Sequence, residues 1–327
     1  MKQSLGAETS RLKGSIVVIV KNGESRIRPC LESLLRQTVE CEIVVVDGNS
    51  TDKTREIVQE YGVKLVIAPK QDSYGISRNL GVRSATGDVV LFMDADDYCA
   101  EIWAEALLRD FETDPRIGIV AVPREPDVLR GWFLKVLGHE FKRSSSLEAK
   151  KDHADWRGVT TKGSAWLKRA ILEAGGFDGA MFFGTEDKDL AYRIQRLGYK
   201  IVQEPKATIK AAPVGGAWNF LEDKFWRAGV GHGYFRRKHG IYRPSFGGIG
   251  SLFLLSLAIA LLFLQTWIAP IALVLAVVSL RSLLKEGQML HSDGVPLVDI
   301  VAFLFVKWLS RIAEFVGFVR GYLSFKK

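Results

Sequence analysis

The spacing of hydrophobic positions changes several times along the 327-residue chain. Ser15–Val20 (SIVVIV) is a nearly continuous β-branched run, the pattern of a strand buried on both faces. Ile27, Leu31, Leu34 and Leu35 then recur at helical spacing within 26–37. Glu42–Val46 (EIVVV) returns to the buried-strand pattern and stops at Asp47-Gly48-Asn49-Ser50. Ser50 or Thr51 can cap the following helix, with Asp52 in its first turn. That helix runs to about Tyr61, before a third strand over 63–68. A helix over 76–84 leads through Gly87 into a fourth strand, 88–93. Strands alternating with helices predict an α/β domain with a mostly parallel sheet covered on both sides. Ligands gather at the carboxyl ends of such strands, where Asp47 and Asp94 fall.

The second half is less regular. A strand is expected over 117–122, an irregular or helical excursion over 123–157, and a helix over 164–174 that Gly175-Gly176 stops. A helix over 187–197 closes at Gly198, and a strand follows over 199–203. From Ile249 to Leu280 no side chain is charged. One helix through this run would be about 45 Å or longer, against an apolar bilayer core of about 30 Å. Two stretches separated by Gln265-Thr266-Trp267 therefore predict a transmembrane hairpin over 246–285. Residues 286–327 carry Lys307, Arg311 and Glu314 on one helical face. That helix either spans the bilayer with this face turned inward or lies at the interface.

Charge sharpens the division into 1–215, 216–245, 246–285 and 286–327. The net charge is +8, and Lys206, Lys210, Lys224, Arg227, Arg236, Arg237, Lys238 and Arg243 crowd the stretch before the apolar run. Basic residues there suit anionic headgroups, at roughly 1 kcal/mol each, and mark the cytoplasmic side. Nucleic acid is not expected, because no reading module accompanies the charge. Met1–Gly14 has no apolar core of a signal peptide, so a cytoplasmic catalytic part on a multi-pass cell-membrane protein is expected. Cys30, Cys41 and Cys99 form no CxxC and read as reduced thiols.

The local chemistry is concentrated in Asp94-Ala95-Asp96-Asp97, which a buried strand delivers to the ligand-binding edge. Crowded carboxylates repel unless a cation neutralises them. A divalent metal, Mg²⁺ or Mn²⁺, carrying a diphosphate is the fitting cation. A dehydrogenase is not expected, since no GxGxxG follows the first strand.

Several segments together resemble the family 2 inverting glycosyltransferases with the GT-A fold, a Rossmann-like nucleotide-diphospho-sugar transferase domain. They are SIVVIVKN (15–22), CLESLLRQT (30–38), VVVDGNSTDKT (44–54), SRNLG (77–81), DVVLFMDADD (88–97), GGFD (175–178) and TEDKDLAYR (185–193). The basic aromatic segment 225–240 and the C-terminal apolar region are similar to the subgroup that builds polysaccharides or lipid-linked glycans. The resemblance implies that Asp47 contacts the nucleotide, Arg78 faces the diphosphate, Asp94 binds ribose or metal-shell water, and Asp96 binds the metal. It makes Asp187 the general base, with Glu186 orienting acceptor or loop. Where relatives place a histidine ligand after the last strand, this chain has Lys210, expected to face the diphosphate; Arg227 and His232 are alternative charge clamps. Trp156, Trp166, Phe182 and Phe183 are candidates for stacking on sugar rings.

The implied partners are a nucleotide-sugar donor (UDP- or GDP-sugar) and a hydroxyl of a lipid-linked saccharide or glycolipid. Two readings compete. One is a polyprenyl-phosphate glycosyltransferase of the dolichyl-phosphate type, whose anionic acceptor needs little help from a base. The other is a non-catalytic nucleotide-binding membrane scaffold.

Overall fold

The computed structural model describes residues 12–69, 73–126, 132–138, 155–182, 184–211, 216–241, 285 and 287–324. The chain alternates β1 (Gly14–Val20), α1 (Ile27–Leu35), β2 (Glu42–Asp47), α2 (Thr54–Glu60), β3 (Lys64–Ile67), α3 (Tyr74–Ser84) and β4 (Val89–Asp94). It continues through β5 (Tyr98–Cys99), α4 (Trp103–Thr113), β6 (Ile117–Ala121) and β7 (Arg124–Pro126). Then follow β8 (Ala165–Leu167), α5 (Lys168–Glu173), α6 (Glu186–Arg196), β9 (Lys200–Gln203) and β10 (Ile209–Ala211).

Seven strands form one sheet in the order β3-β2-β1-β4-β8-β6-β9, and β5-β10-β7 form a second, small one. β1 pairs in parallel with β2 and β4, so Val20 lies opposite Asp47 and Ile19 opposite Asp94. The two acidic strand ends therefore flank the end of the central strand.

Both faces of the large sheet are covered, as its uninterrupted apolar strands require. Ile16 and Val18 pack with Leu31, Trp103, Leu107 and Phe111 on one side. Val17, Val44 and Phe92 pack with Ile171, Leu190, Ile194 and Phe235 on the other. Gly81 brings α3 down onto β1, for a Cβ there would strike the Val17 side chain.

Two expectations are corrected. Residues 164–174 are not one helix: Ala165–Leu167 is a strand, antiparallel to both β4 and β6, and only Lys168–Glu173 is helical. Strands β4 and β6 would otherwise leave backbone groups unpaired inside the protein, and that demand overrides local helical preference. Neither Ser50 nor Thr51 caps α2, which starts at Thr54. Instead the Asn22 amide donates to Ser50 Oγ (2.9 Å) and the Thr51 amide to Asn22 Oδ1 (2.9 Å), binding the β1 and β2 loops together.

The basic aromatic segment folds back onto the α/β body. Ala217–Asp223 (α7), a π-helical stretch Lys224–Val230 and Gly231–His239 (α8) form one continuous rod. Phe235 is buried and stacks on Trp156 with ring centroids 4.9 Å apart. Asp189, wholly buried, fixes the rod's end: it meets Arg193 (2.6 Å), Lys238 (2.9 Å) and His239 (2.7 Å). Lys238 also pairs with Asp178 at 2.7 Å.

The expected hairpin over 246–285 lies outside the described residues save Lys285. Leu297–Ser324 (α9) is a single 28-residue helix carrying Asp299, Lys307, Arg311, Glu314 and Arg320. Among the described residues no helix is long and apolar enough to cross a membrane. α9 lies against the rod backbone to backbone, with Gly317 over Phe225 and Gly229, and Gly321 over Val230. Small residues four apart allow this approach. The Arg320 guanidinium sits 4.6 Å from the centroid of the Trp226 ring.

Two outcomes follow from these contacts. Gly321→Leu drives a side chain into the Val230 carbonyl and is expected to cost about 1–3 kcal/mol; Gly216→Ala, in open space, should leave the thermal midpoint nearly unchanged. Burial alone would raise the Asp189 carboxyl, but the His239 hydrogen bond and the charges of Arg193 and Lys238 hold it down to about 2. Its folded value lies below the ordinary 3.8, so the stability it gives is full above that value and drains away as pH falls toward 2. Circular dichroism through an acid titration should show this loss in the wild type and not in Asp189→Asn.

Candidate active site

The carboxyl edge of the sheet gathers the acidic residues, and each is engaged by a cation of the chain itself. Asp47, the last residue of β2, is fully buried. It accepts the Arg55 Nε–H at 2.6 Å and the Ser50 amide at 3.2 and 3.1 Å, which holds the turn where Asn49 takes φ +61°. Asp94 ends β4, and its Oδ2 lies 2.9 Å from Lys162 Nζ while its Oδ1 lies 3.6 Å from Arg78 Nη2. Asp97 is fully buried with its Oδ2 3.7 Å from the same ammonium. Asp96, more open, faces Arg26 at 3.5 Å. Each of the three can offer an oxygen within 4.8 Å of the others. An all-oxygen donor set of this kind fits a hard divalent cation.

Arg78 joins this cluster to a distant segment. It lies on α3, buried, with its guanidinium 5.6 Å from the Tyr74 ring centroid and 5.9 Å from that of Phe177. Besides Asp94 it ion-pairs with Glu186 at the start of α6. Burial pushes the Glu186 carboxyl up, Arg78 opposes the rise, and Asp187 adds to it, with the net value near 6. Burial would also raise Asp94, yet Lys162 and Arg78 outweigh it and hold that carboxyl below the usual range.

Asp187 follows Glu186 and is only partly buried. Immediately before them Gly184 takes φ +102° and Thr185 φ +68°, a left-handed conformation unfavourable for a β-branched residue. Gly231 of α8 packs against this turn, where a Cβ would come within 2.8 Å of Thr185 Oγ1. Arg227 lies beside Gly184, donates to Tyr74 Oη at 3.2 Å and pairs with Asp223 at 3.3 Å.

The structure thus brings Asp94, Asp96, Arg78, Glu186, Asp187 and Arg227 to one region, with Asp47 across the end of β1. Lys210 is exposed on β10 opposite Tyr98, the residue after Asp97, and so belongs to the small sheet beside the cluster. His232 is no charge clamp: it is buried, its Nε2 is 3.3 Å from Lys188 Nζ, and burial with the Lys188 and Lys224 charges keeps the ring neutral. Trp156 and Trp166 are core, whereas Phe182 is exposed and Phe183 lies outside the described residues.

Lys162 is the residue that sequence reading missed. Reading 164–174 as a helix hid it, because a strand antiparallel to β4 must begin beside β4's carboxyl end. The turn before β8 therefore delivers its side chains to Asp94–Asp97.

Arg78→Ala leaves Glu186 buried without its cation, and a loss of about 3 kcal/mol or more is expected in denaturant unfolding. Adding Glu186→Gln should recover part of it, which a double-mutant cycle would measure.

A family model for glycosyl transferase family 2 matches residues 15–176. The poly(ribitol-phosphate) beta-glucosyltransferase of Bacillus spizizenii is 41% identical over 107 residues, covering 30% of this chain and 16% of that protein. The pre-mycofactocin glycosyltransferase of Mycobacterium tuberculosis is 29% identical over 202 residues, covering 60% of this chain and 42% of the other. The chain thus spans well under two thirds of the length of these curated relatives. A solved structure of a mannosyltransferase from Pyrobaculum calidifontis, in complex with GDP-Man and Mn²⁺, superposes with a TM-score of 0.61 at 20% identity. That match covers 98% of this chain and 89% of the other, and the shared fold is the GT-A α/β arrangement with a mixed sheet. Residues 15–176 thus match glycosyl transferase family 2.

Proposed function

We propose that this protein is an inverting glycosyltransferase, moving a sugar from a UDP- or GDP-sugar to a hydroxyl of a membrane-held acceptor in glycan or polysaccharide synthesis. The observation that carries this reading is the Arg78 bridge, which unites the acidic end of β4 with the start of α6. A displacement at an anomeric carbon needs a charge-stabilised leaving group on one side and a proton acceptor on the other.

Of the two acids at the start of α6, Asp187 is the base. Glu186 is sequestered by burial and by Arg78, whereas Asp187 is partly open. Asp187 takes the acceptor's proton as its oxygen attacks, and the nucleoside diphosphate departs from the opposite face. Arg227 stands ready to meet the leaving charge, and Asp47 with its ordered turn sits where a nucleoside would lie. Asp94 and Asp96 would hold a divalent cation, which when bound supplies positive charge to the leaving diphosphate.

Two features support a membrane-held acceptor. The stretch Ile249–Leu280 has no charge, and α9 exposes Val298, Val301, Phe305, Val316 and Leu323 along its length. The names of relatives that act on poly(ribitol-phosphate) support a polymeric acceptor.

The test uses the full chain in detergent with a panel of UDP- and GDP-sugars and Mn²⁺ or Mg²⁺. One donor is expected to release its nucleoside diphosphate slowly without acceptor and quickly with membrane glycolipid; release from none would overturn the assignment. Asp187→Asn should slow transfer about a hundredfold or more while donor affinity stays constant. Unchanged turnover in that variant would favour an acceptor that is already an anionic phosphate.

A further inference from the structure

Lys162 has no part in the chemistry above, yet its ammonium lies in the midst of the carboxylates that would hold the metal. It does not arrive there on a loose loop. Gly163 takes φ +69° and has no room for a Cβ beside Ile209, its carbonyl accepts the Trp103 indole N–H at 3.0 Å, and Ser164 Oγ donates to the Thr160 carbonyl at 2.6 Å. This pinned turn aims Lys162 at Asp94 Oδ2 (2.9 Å) and Asp97 Oδ2 (3.7 Å).

Three carboxylates, Asp94, Asp96 and Asp97, thus face three cations: Lys162, Arg78 and Arg26. With Arg78 shared between Asp94 and Glu186, the acidic cluster is partly neutralised before any ion arrives. Both oxygens of Asp94 face a cation, one Lys162 at 2.9 Å and the other Arg78 at 3.6 Å. A divalent ion must approach to about 2.0–2.6 Å of the same oxygens, and a second cation on that lone pair resists it.

We infer that Lys162 is an internal counter-ion that competes with the divalent metal, so that the free protein binds metal weakly and binds it well only together with a nucleoside diphosphate. The diphosphate offers the ammonium new oxyanions, and a lysine on its flexible four-carbon stem can swing to them. Lys162 is then a positioning residue that couples metal to nucleotide, and by linkage each raises the other's affinity by one factor. The inference rests on the glycosyltransferase reading.

The experiment titrates Mn²⁺ into the full chain in detergent and reads free Mn²⁺ by electron paramagnetic resonance, with no nucleotide, with UDP and with GDP. In the wild type one of the two nucleotides is expected to tighten Mn²⁺ about tenfold or more. In Lys162→Met, Mn²⁺ alone should bind about tenfold tighter than to the wild type, and the gain from nucleotide should shrink to a few-fold. Lys162→Gln provides the same comparison should the methionine variant not fold, and Lys162→Arg should behave as wild type. Equal or weaker Mn²⁺ binding by the neutral variants, in a wild type that does respond to nucleotide, would overturn this role and leave the enzyme assignment standing. Wild-type binding that ignores both nucleotides would overturn it too. Absence of Mn²⁺ binding under every condition would overturn the metal site itself, and this role with it.

Discussion

A guanidinium buried between two carboxylates from distant parts of the chain is the constraint on which the site depends. Arg78 cannot be stable there without Asp94 and Glu186; it opposes the rise that burial imposes on Glu186, while Asp94 is held ionised by Arg78 together with Lys162. The three come from α3, β4 and α6, so folding must bring these elements into register before the pair can form. Satisfying one buried charge therefore assembles the acidic strand end and the start of α6 as a unit. Glu186 carries this structural duty, and Asp187, the proposed base, is the more open of the two acids.

The same economy of charge extends outward. Two residues beyond Asp187, Asp189 fastens the end of α8 through Lys238 and His239. Gly231, at the start of α8, supports the strained Gly184-Thr185 turn from behind. The segment that composition marks as a basic approach to a membrane is thus also the back wall of the site. Its positive charge is partly spent on buried carboxylates, so net charge alone overstates what remains for lipid headgroups.

Much of this was legible in the sequence. The strands β1, β2 and β4 are unbroken apolar runs, and their acidic ends could be placed because parallel sheets put ligands at carboxyl edges. The order of the acidic segments also pointed to one cleft. What escaped was set by partners distant in sequence. Ala165–Leu167 pairs with strands on both sides, a demand that no window around it reveals, and with that strand Lys162 escaped as well. Ser50 and Thr51 looked like caps because capping is local, whereas their real partner, Asn22, is 28 and 29 residues away. Trp156 and Trp166 could be read either as core or as sugar platforms for a similar reason: an aromatic side chain does not announce whether another ring will cover it.

The position of α9 raises the question of why a helix carrying five charged residues should lie so close to the rod that only glycine fits between them. Close approach gains dispersion contacts and places Arg320 over Trp226, but it also makes the joint rigid. Gly229, Gly233, Gly317 and Gly321 admit no Cβ at the contact, so the helices have one packing distance and little freedom to slide. The rod in turn is fixed to α6 through Asp189. A stiff path therefore runs from the C-terminal helix to the first turn of α6, where the proposed base sits. If α9 rests on a lipid surface, the height of Asp187 above that surface is set by backbone contact rather than by a flexible linker. An enzyme whose acceptor is held in a bilayer has reason to fix that height, since a reacting hydroxyl must come within hydrogen-bonding distance of its base.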